Sequence, residues 1–307
     1  GAAVHVRASV GLRVTESPNG WATSANDCID RGMHLRDLYR GDPLIATHFA
    51  PHRPGLVTDG TLVRVRRLAD ELEMPVVMQL HETPGEVTRG LEQHGRRPLA
   101  RLASLGLASP LLVAVHMTHV DDADVDALAA SSASIVHCPE SSLRLGSGVC
   151  PVTRLRSRGV RVALGTDAAA ANNDLDVLGE ARTAGLLASG VAASPGELSA
   201  SNLLRMATLD GARTLGLADV TGSLLPGKWA DLCCLNLREP RTWPVADVPA
   251  AVVYAASSRQ VTDTWVAGRR LLADQSLLYM DETAVLDRAE AWRGRIAATV
   301  VEGQPRD

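Results

Sequence analysis

The feature that most constrains the fold is a regular alternation of short apolar runs and stretches with helical spacing. Short, bounded apolar runs are typical of strands buried in a parallel sheet. Strands are predicted at residues 4–14, 44–49, 75–80, 111–115, 134–136 and 160–164. Helices are predicted at residues 30–39, after the capping residue Thr58, and at 98–105, 123–130, 152–158, 175–187 and 195–217. Alternation at this spacing predicts βαβ units and a parallel sheet.

Polar side chains, most of them titratable, lie at the ends of five consecutive predicted strands. In chain order they are His52, then Gln79, His81 and Glu82, then His116, His137 and Asp167. In a doubly wound sheet such groups gather near one switch point, whereas every strand of an α/β barrel contributes to one mouth. Their spread over all five strand ends therefore predicts a barrel with its chemistry at the carboxyl ends of the strands.

The pattern changes after residue 217. Turns at Thr221-Gly222-Ser223 and Pro226-Gly227-Lys228 lead into short β segments, predicted at residues 231–236, 251–255 and 264–266. A last helix is predicted at residues 283–295. We therefore expect two units, a barrel part over residues 1–217 and a small β unit with a closing helix over residues 218–307.

Composition narrows the class of protein. The chain is 46% hydrophobic and 21% charged, with a net charge of −4, which gives no electrostatic basis for binding nucleic acid or an anionic membrane. The five cysteines are odd in number and form no CxxC pair, so neither a disulfide framework nor a cysteine-bound zinc is expected. The sequence contains no membrane-spanning run and no signal peptide pattern. The expected location is the cytoplasm.

Several motifs together resemble the amidohydrolase superfamily, in the branch of methylthioadenosine/S-adenosylhomocysteine deaminases and triazine (atrazine-type) hydrolases. The similarity extends over nearly the whole chain. The matching stretches are Asp42-Pro43-Leu44 to Ala50-Pro51-His52, His81-Glu82-Thr83 with Glu86-Val87, Ala114-Val115-His116-Met117-Thr118, His137-Cys138-Pro139-Glu140-Ser141, Leu164-Gly165-Thr166-Asp167, Asn172-Asn173-Asp174-Leu175-Asp176, Met206-Ala207-Thr208 and Pro226-Gly227-Lys228.

The resemblance implies a (β/α)₈ barrel with a small β-sandwich, of which this chain would hold strands 3–8 and the C-terminal part of the sandwich. Deaminases of this family bind one zinc or iron ion through an HxH after strand 1, a His after strand 5 and an Asp after strand 8. The metal acidifies a water molecule, which attacks a ring carbon and expels ammonia.

The resemblance also assigns roles to individual residues. Glu82 corresponds to the proton-shuttling and substrate-contacting Glu, and His116 to the His that positions the water. Asp167 corresponds to the strand-8 Asp that is both metal ligand and base. His52 and His137 correspond to His residues at the mouth that contact the substrate. Catalysis is therefore expected from Glu82, His116 and Asp167.

The departures from the family pattern concern the metal. Gln79 stands where the pattern has the strand-5 His, and a carboxamide is a poor ligand for zinc or iron. The sequence begins at the family's third strand, so the HxH is not expected in it, and Asp167 is the one retained ligand. Arg53, which follows His52, could suit an anionic ligand or point to solvent. Of these two, solvent is the favoured expectation.

Two functions remain open on these residues. The first is a deaminase-type hydrolase of a purine-nucleoside-like or other N-heterocyclic substrate, with an impaired metal site. The second is a metal-free family member that binds such a ligand, acts as a partner subunit, or performs acid–base chemistry with Glu82 and Asp167. An incomplete barrel would expose two sheet edges, so we expect a homo-oligomer or a partner chain to complete it.

Overall fold

The structure, a computed structural model, describes residues 4–301. Its larger layer is a sheet of six parallel strands that neighbour one another in chain order. The strands are β1 Ala8–Val14, β2 Ile45–Pro51, β3 Val76–Leu80, β4 Leu112–His116, β5 Ser134–His137 and β6 Arg161–Leu164. The prediction of six parallel strands from the alternating pattern is therefore confirmed, with bounds that differ by a few residues.

Helices connect the strands and cover one face of the sheet. Their bounds are α1 Ala25–Leu38, α2 Asp59–Leu72, α3 Pro84–His94, α4 Pro98–Ser104, α5 Asp122–Ser131, α6 Pro139–Arg144, α7 Val152–Ser157, α8 Val177–Ala192, α9 Ala200–Ala207 and α10 Leu209–Thr214. Helix α1 begins earlier than predicted because the Ser24 side chain accepts from the N–H of Asp27 and caps it. Thr58 caps α2 as predicted, by accepting from the N–H of Thr61.

Helix α3 is not among the predicted helices, because Pro84 and Gly85 are residues that usually break a helix. The Thr83 side chain accepts from the N–H of Glu86, and Pro84 occupies the first turn of the helix. Proline is tolerated there because its missing N–H would have no partner within the helix. The same two residues thus begin a helix, and that helix places Glu86 beside the end of β3.

A second sheet follows the parallel one. Its antiparallel strands are β7 Leu232–Leu235, β8 Val261–Val266, β9 Arg269–Ala273 and β10 Ser276–Leu277. The segment predicted as a strand at residues 251–255 is instead helical, and this prediction is wrong. It continues the short helix α11 Val248–Ala250, where the Asp247 side chain accepts from the N–H of Ala250. An apolar run of five residues is compatible with a strand or with a helix, and the Asp247 cap favours the helix.

The chain ends in helix α12 Glu282–Val301, which confirms the predicted closing helix. Arg7, just before β1, bonds the carboxylate of Asp231, just before β7, at 2.6 Å. This ion pair ties the start of the described chain to the second sheet.

Residues 1–3 and 302–307 lie outside the described residues, and the predicted division at residue 217 stays a prediction. In the described part of the chain, no helix combines the length and apolar character that a membrane crossing needs.

The two faces of the parallel sheet differ. In β3 the alternate residues Val76, Met78 and Leu80 are buried against the helices, in one apolar core that also holds Phe49. Gln79 and its neighbours on the other face line an open cavity instead. The period of two along a strand thus places Gln79 on the face opposite the apolar core.

Candidate functional site

The candidate site lies at the carboxyl edge of the parallel sheet. His52 directly follows β2, Gln79 lies in β3 with Glu82 just beyond it, His116 ends β4, and Asp167 follows β6. In a parallel sheet these ends lie on the same side. The charges of Glu82 and Asp167 both act on His52 and on His116, as expected for groups gathered in one place.

The backbone is strained at three of these strand ends. His81, His116 and Asp167 have φ angles of 51°, 78° and 60°, in the left-handed region that residues other than glycine rarely adopt. Such a conformation costs on the order of 1–3 kcal/mol per residue and persists only where the surrounding structure enforces it. Strain of this kind clusters at functional sites, and its position here agrees with the polar strand ends.

Arg53 points into the site, and the expectation that it faces solvent is wrong. Its Nη2 donates to Oε2 of Glu82 at 2.5 Å, and its Nε donates to Oε1 of Gln79 at 2.9 Å. The Glu82 side chain is 6% exposed and the Arg53 side chain 33%. The mostly buried carboxylate of Glu82 is thus paired with the guanidinium of Arg53, which also binds Gln79.

The chain around Glu82 is fixed by side chains that sequence reasoning did not single out for this role. The buried carboxylate of Glu86 accepts from the N–H of His81 at 3.0 Å and from the N–H of Glu82 at 2.9 Å. On the other side, Oγ1 of Thr118 donates to the carbonyls of His81 and Glu82. Both residues were visible only as members of the family motifs. Glu86 lies on helix α3, which was not predicted, and Thr118 follows β4.

His81 itself is turned away from the site. Its Nε2 accepts from the N–H of Leu99 at 3.1 Å, so the ring proton resides on Nδ1, which lies 3.4 Å from Oδ2 of Asp124. Arg97 donates to the same Asp124 oxygen at 2.8 Å. His81 is fully buried and anchors the end of β3 against the helices, which is a supporting role.

His116 is buried at the end of β4, and both of its ring nitrogens are without hydrogen-bond partners within residues 4–301. The residue is 1% exposed. Burial lowers the pKa of His116, while the charges of Glu82 and Asp167 oppose that shift and Arg53 adds to it. A buried imidazole without partners is costly, so these nitrogens are expected to be satisfied by something that enters the site.

Asp167 and His52 complete the edge. Oδ2 of Asp167 accepts from Oγ of Ser141 at 2.8 Å, and among the described residues no group donates to Oδ1. His52 lies at the surface, and burial together with the charges of Arg53 and Arg13 lowers its pKa. A cavity of about 410 Å³ is bounded by these groups, a size usual for small-molecule sites. Its walls include Arg13, His52, Gln79, Val115 and Asp167.

His137 lies apart from this cavity. It is 2% exposed and lines a separate space of about 120 Å³ together with Cys150, Val152 and Ala184. Burial, with a contribution from His116, lowers the pKa of His137 to about 3, so the ring is neutral. The structure brings His52, Glu82, His116 and Asp167 to one edge, and it places His137 behind them.

The residues present do not fit a zinc or iron ion. Gln79 offers a carboxamide oxygen, and that oxygen already accepts from Arg53. The guanidinium beside it would repel a divalent cation. Within the described residues, no group of three or more His, Cys, Asp or Glu side chains is arranged to hold a metal. The donor set at this edge therefore differs from that of the family's metal centre.

The family itself is established by comparison with known proteins. Residues 24–271 match the model of the amidohydrolase family, and the chain belongs to that family. It lies in the branch of the 5-methylthioadenosine/S-adenosylhomocysteine deaminases. One such protein, from Teredinibacter turnerae, is 40% identical over 299 residues, which cover 96% of this chain and 68% of that protein.

Solved structures agree with this placement. The crystal structure of an adenosine deaminase from Xanthomonas campestris with bound zinc is 46% identical and superposes with a TM-score of 0.94, covering 96% of this chain and 67% of that one. Zinc-bound atrazine chlorohydrolase from Arthrobacter aurescens is 21% identical with a TM-score of 0.85, covering 93% of this chain and 65% of that one, and shares the fold. The chain thus spans about two thirds of the length of such relatives.

Proposed function

We propose that this chain is a metal-free receptor for a purine-nucleoside-like or related N-heterocyclic ligand, bound at the carboxyl edge of the parallel sheet. The observation behind the proposal is Gln79, which stands where the family pattern has a metal-binding His and whose carboxamide is bonded to Arg53. This pair suits hydrogen bonding to a ligand better than coordination of zinc or iron. The ligand class follows from the relatives, which are named as 5-methylthioadenosine/S-adenosylhomocysteine deaminases.

In this proposal the six strands are strands 3–8 of a (β/α)₈ barrel, and residues 218–307 are part of a β-sandwich. The parallel order β1 to β6 and the antiparallel order of the second sheet support it. Within the described residues, β1 and β6 are the two edges of the parallel sheet. A second copy or another chain would cover these edges, and light scattering of the purified protein tests that expectation.

The retained polar groups would make the contacts to the ligand. Both nitrogens of His116 are without partners among the described residues, and they can donate to or accept from a heterocycle according to tautomer. Asp167 has one carboxylate oxygen to which no described residue donates, and His52 stands at the entrance as a neutral ring. His137, by family resemblance a substrate contact, would act from behind His116. The cytoplasm remains the expected location.

A second candidate is hydrolytic deamination. It is favoured by the joint presence of Glu82, His116 and Asp167 at one edge, the three residues with catalytic roles by resemblance. Asp167 would then take a proton as base, Glu82 would pass one to a ring nitrogen, and His116 would hold the attacking water. The ion pair between Arg53 and Glu82 counts against it, because Glu82 would have to leave a bound cation to donate a proton.

One experiment separates the two functions. Protein stripped with a chelator is tested by thermal shift with adenosine, 5-methylthioadenosine and S-adenosylhomocysteine, and ammonia release is measured with and without added zinc. The receptor proposal predicts a ligand-dependent rise in the melting temperature and no ammonia. Ammonia release that requires zinc and is lost in Asp167→Ala would establish the deaminase instead. No shift with any nucleoside would refute the receptor proposal.

A further inference from the structure

We infer that Arg53 is the resident cation of this site. Its guanidinium bridges Gln79 and Glu82, keeps a divalent metal ion away from them, and offers its remaining N–H groups to a hydrogen-bond acceptor on the ligand. The inference deepens the proposed function, because it names the group that takes over the positive charge at the site and the chemistry it recognises.

The first support is that two departures from the family pattern meet in space. Gln79 replaces the expected His, and Arg53, directly after His52, is the second departure. The two positions are far apart in the chain, yet the Nε of Arg53 donates to the amide oxygen of Gln79 at 2.9 Å. A carboxamide oxygen accepts from a guanidinium without competing for protons, whereas a protonated His at this position would repel it. The two substitutions are therefore chemically matched.

The second support is the electrostatics of Glu82. Its side chain is 6% exposed, and Arg53 is its ion-pair partner at 2.5 Å. A carboxylate this deep requires a cation, because burial of an unpaired charge is strongly unfavourable. Arg53 meets that requirement with a fixed charge that no chelator can remove. A metal ion placed on the same carboxylate would compete with the guanidinium.

The third support is that the guanidinium has donors to spare. Two of its five N–H groups are used, one on Gln79 and one on Glu82. Nη1 has no hydrogen-bond partner in the described part of the chain, and the side chain is 33% exposed. It lines a second cavity of about 370 Å³, which His52 shares with the cavity described above. A ring nitrogen, a carbonyl oxygen or an anionic group of a ligand can occupy these donors.

The fourth support is that Arg53 is held in place from behind. The turn Pro54–Leu56 follows it, and buried Arg101 donates to the carbonyls of Pro54 at 2.7 Å and Val57 at 2.9 Å. These bonds fix the chain immediately after Arg53. A binding group whose backbone is anchored in this way loses little freedom when a ligand arrives.

The experiment uses the whole chain with Arg53→Ala and Arg53→Lys, and Arg67→Ala as a control. Arg67 forms an exposed pair with Glu71 on α2 and lies outside the site. For wild type and each variant we would measure the affinity for 5-methylthioadenosine and the melting temperature. The zinc content is measured after incubation with zinc and desalting. Arg53→Ala is expected to weaken nucleoside binding about tenfold or more, and guanidinium chloride at low millimolar concentration restores both affinity and melting temperature. Arg53→Lys, which cannot bridge both partners, recovers little, and zinc does not replace guanidinium.

Several outcomes would overturn the inference. If the wild-type protein retains one zinc per chain, Arg53 is not the cation of the site. The same conclusion follows if Arg53→Ala binds the nucleoside as tightly as wild type does. If Arg53→Ala does not fold, the test uses Arg53→Lys instead. A nucleoside affinity of Arg53→Lys equal to that of wild type would also refute the inference. Absence of nucleoside binding in wild type would refute the proposed function alone, because the guanidinium-dependent melting temperature and the zinc content still decide the role of Arg53.

Discussion

The buried carboxylate of Asp124 offers the sharpest test of how the site is supported. Its Oδ2 accepts from Arg97 at 2.8 Å and from the N–H of Asp121 at 3.1 Å, and the ring of His81 lies 3.4 Å away. The substitution Asp124→Asn keeps an oxygen for these donors and removes only the charge. It therefore isolates the electrostatic contribution of one group that fixes the end of β3.

The magnitude follows from the pKa. Burial raises the pKa of Asp124, but the bonds from His81 and Arg97 outweigh burial and bring it to about 2. Relative to the ordinary value of 3.8, this difference is worth about 2 kcal/mol of unfolding free energy. Because the pKa is lower in the folded protein, the stabilisation is present above a pH of about 4 and is lost as the pH falls toward about 2.

The assay is urea unfolding followed by circular dichroism at a series of pH values. At neutral pH, Asp124→Asn should be about 2 kcal/mol less stable than wild type, and the difference should narrow below a pH of about 4. The control is Asp122→Asn, whose carboxylate on the same helix is 87% exposed and should contribute little. A difference that stays constant down to acid pH, or an equal effect of Asp122→Asn, would refute the reasoning.

Two further predictions concern stability. Arg101→Leu should lower the free energy of unfolding by about 2–4 kcal/mol in urea melts, because it leaves the carbonyl of Val57 without its donor and removes one of the two donors to the carbonyl of Pro54, while Arg67→Leu on the surface should change little. Burial, aided by nearby carboxylates and opposed by hydrogen bonds, raises the pKa of Glu180 to about 7. The folded state then holds a proton that the unfolded state has released. Stability should therefore fall by about 3 kcal/mol as the pH rises from about 4.5 to about 7, and a flat profile would contradict this.

The layout of the parallel sheet could be predicted because it depends on local pattern. Each strand is a short apolar run between turn residues, and Gln79 and His116 lie at strand ends whose positions the alternation fixes. Helix α3 was missed because Pro84 and Gly85 break helices in most contexts and begin one here, after the Thr83 cap. Residues 251–255 were assigned to a strand because an apolar run of that length has no decisive period.

The content of the site was harder to predict than its location. Arg53 was expected to face solvent, since nothing local in the sequence relates it to Gln79 or Glu82. The ion pair exists because β2 and β3 are neighbours in the sheet, so the residues that follow them meet. Glu86 was overlooked as a support for Glu82 for a different reason, because it lies on helix α3, which was not predicted. Pairings across strands depend on the register of the sheet, which a single sequence does not contain.

The most direct test of the central claim is the affinity of metal-stripped protein for 5-methylthioadenosine, measured by titration calorimetry before and after addition of zinc. We expect saturable binding in the stripped protein and the same affinity once zinc is present, because Arg53 provides the positive charge of the site. Binding that appears only after zinc is added would contradict the account and return the chain to the metal-dependent chemistry of its relatives.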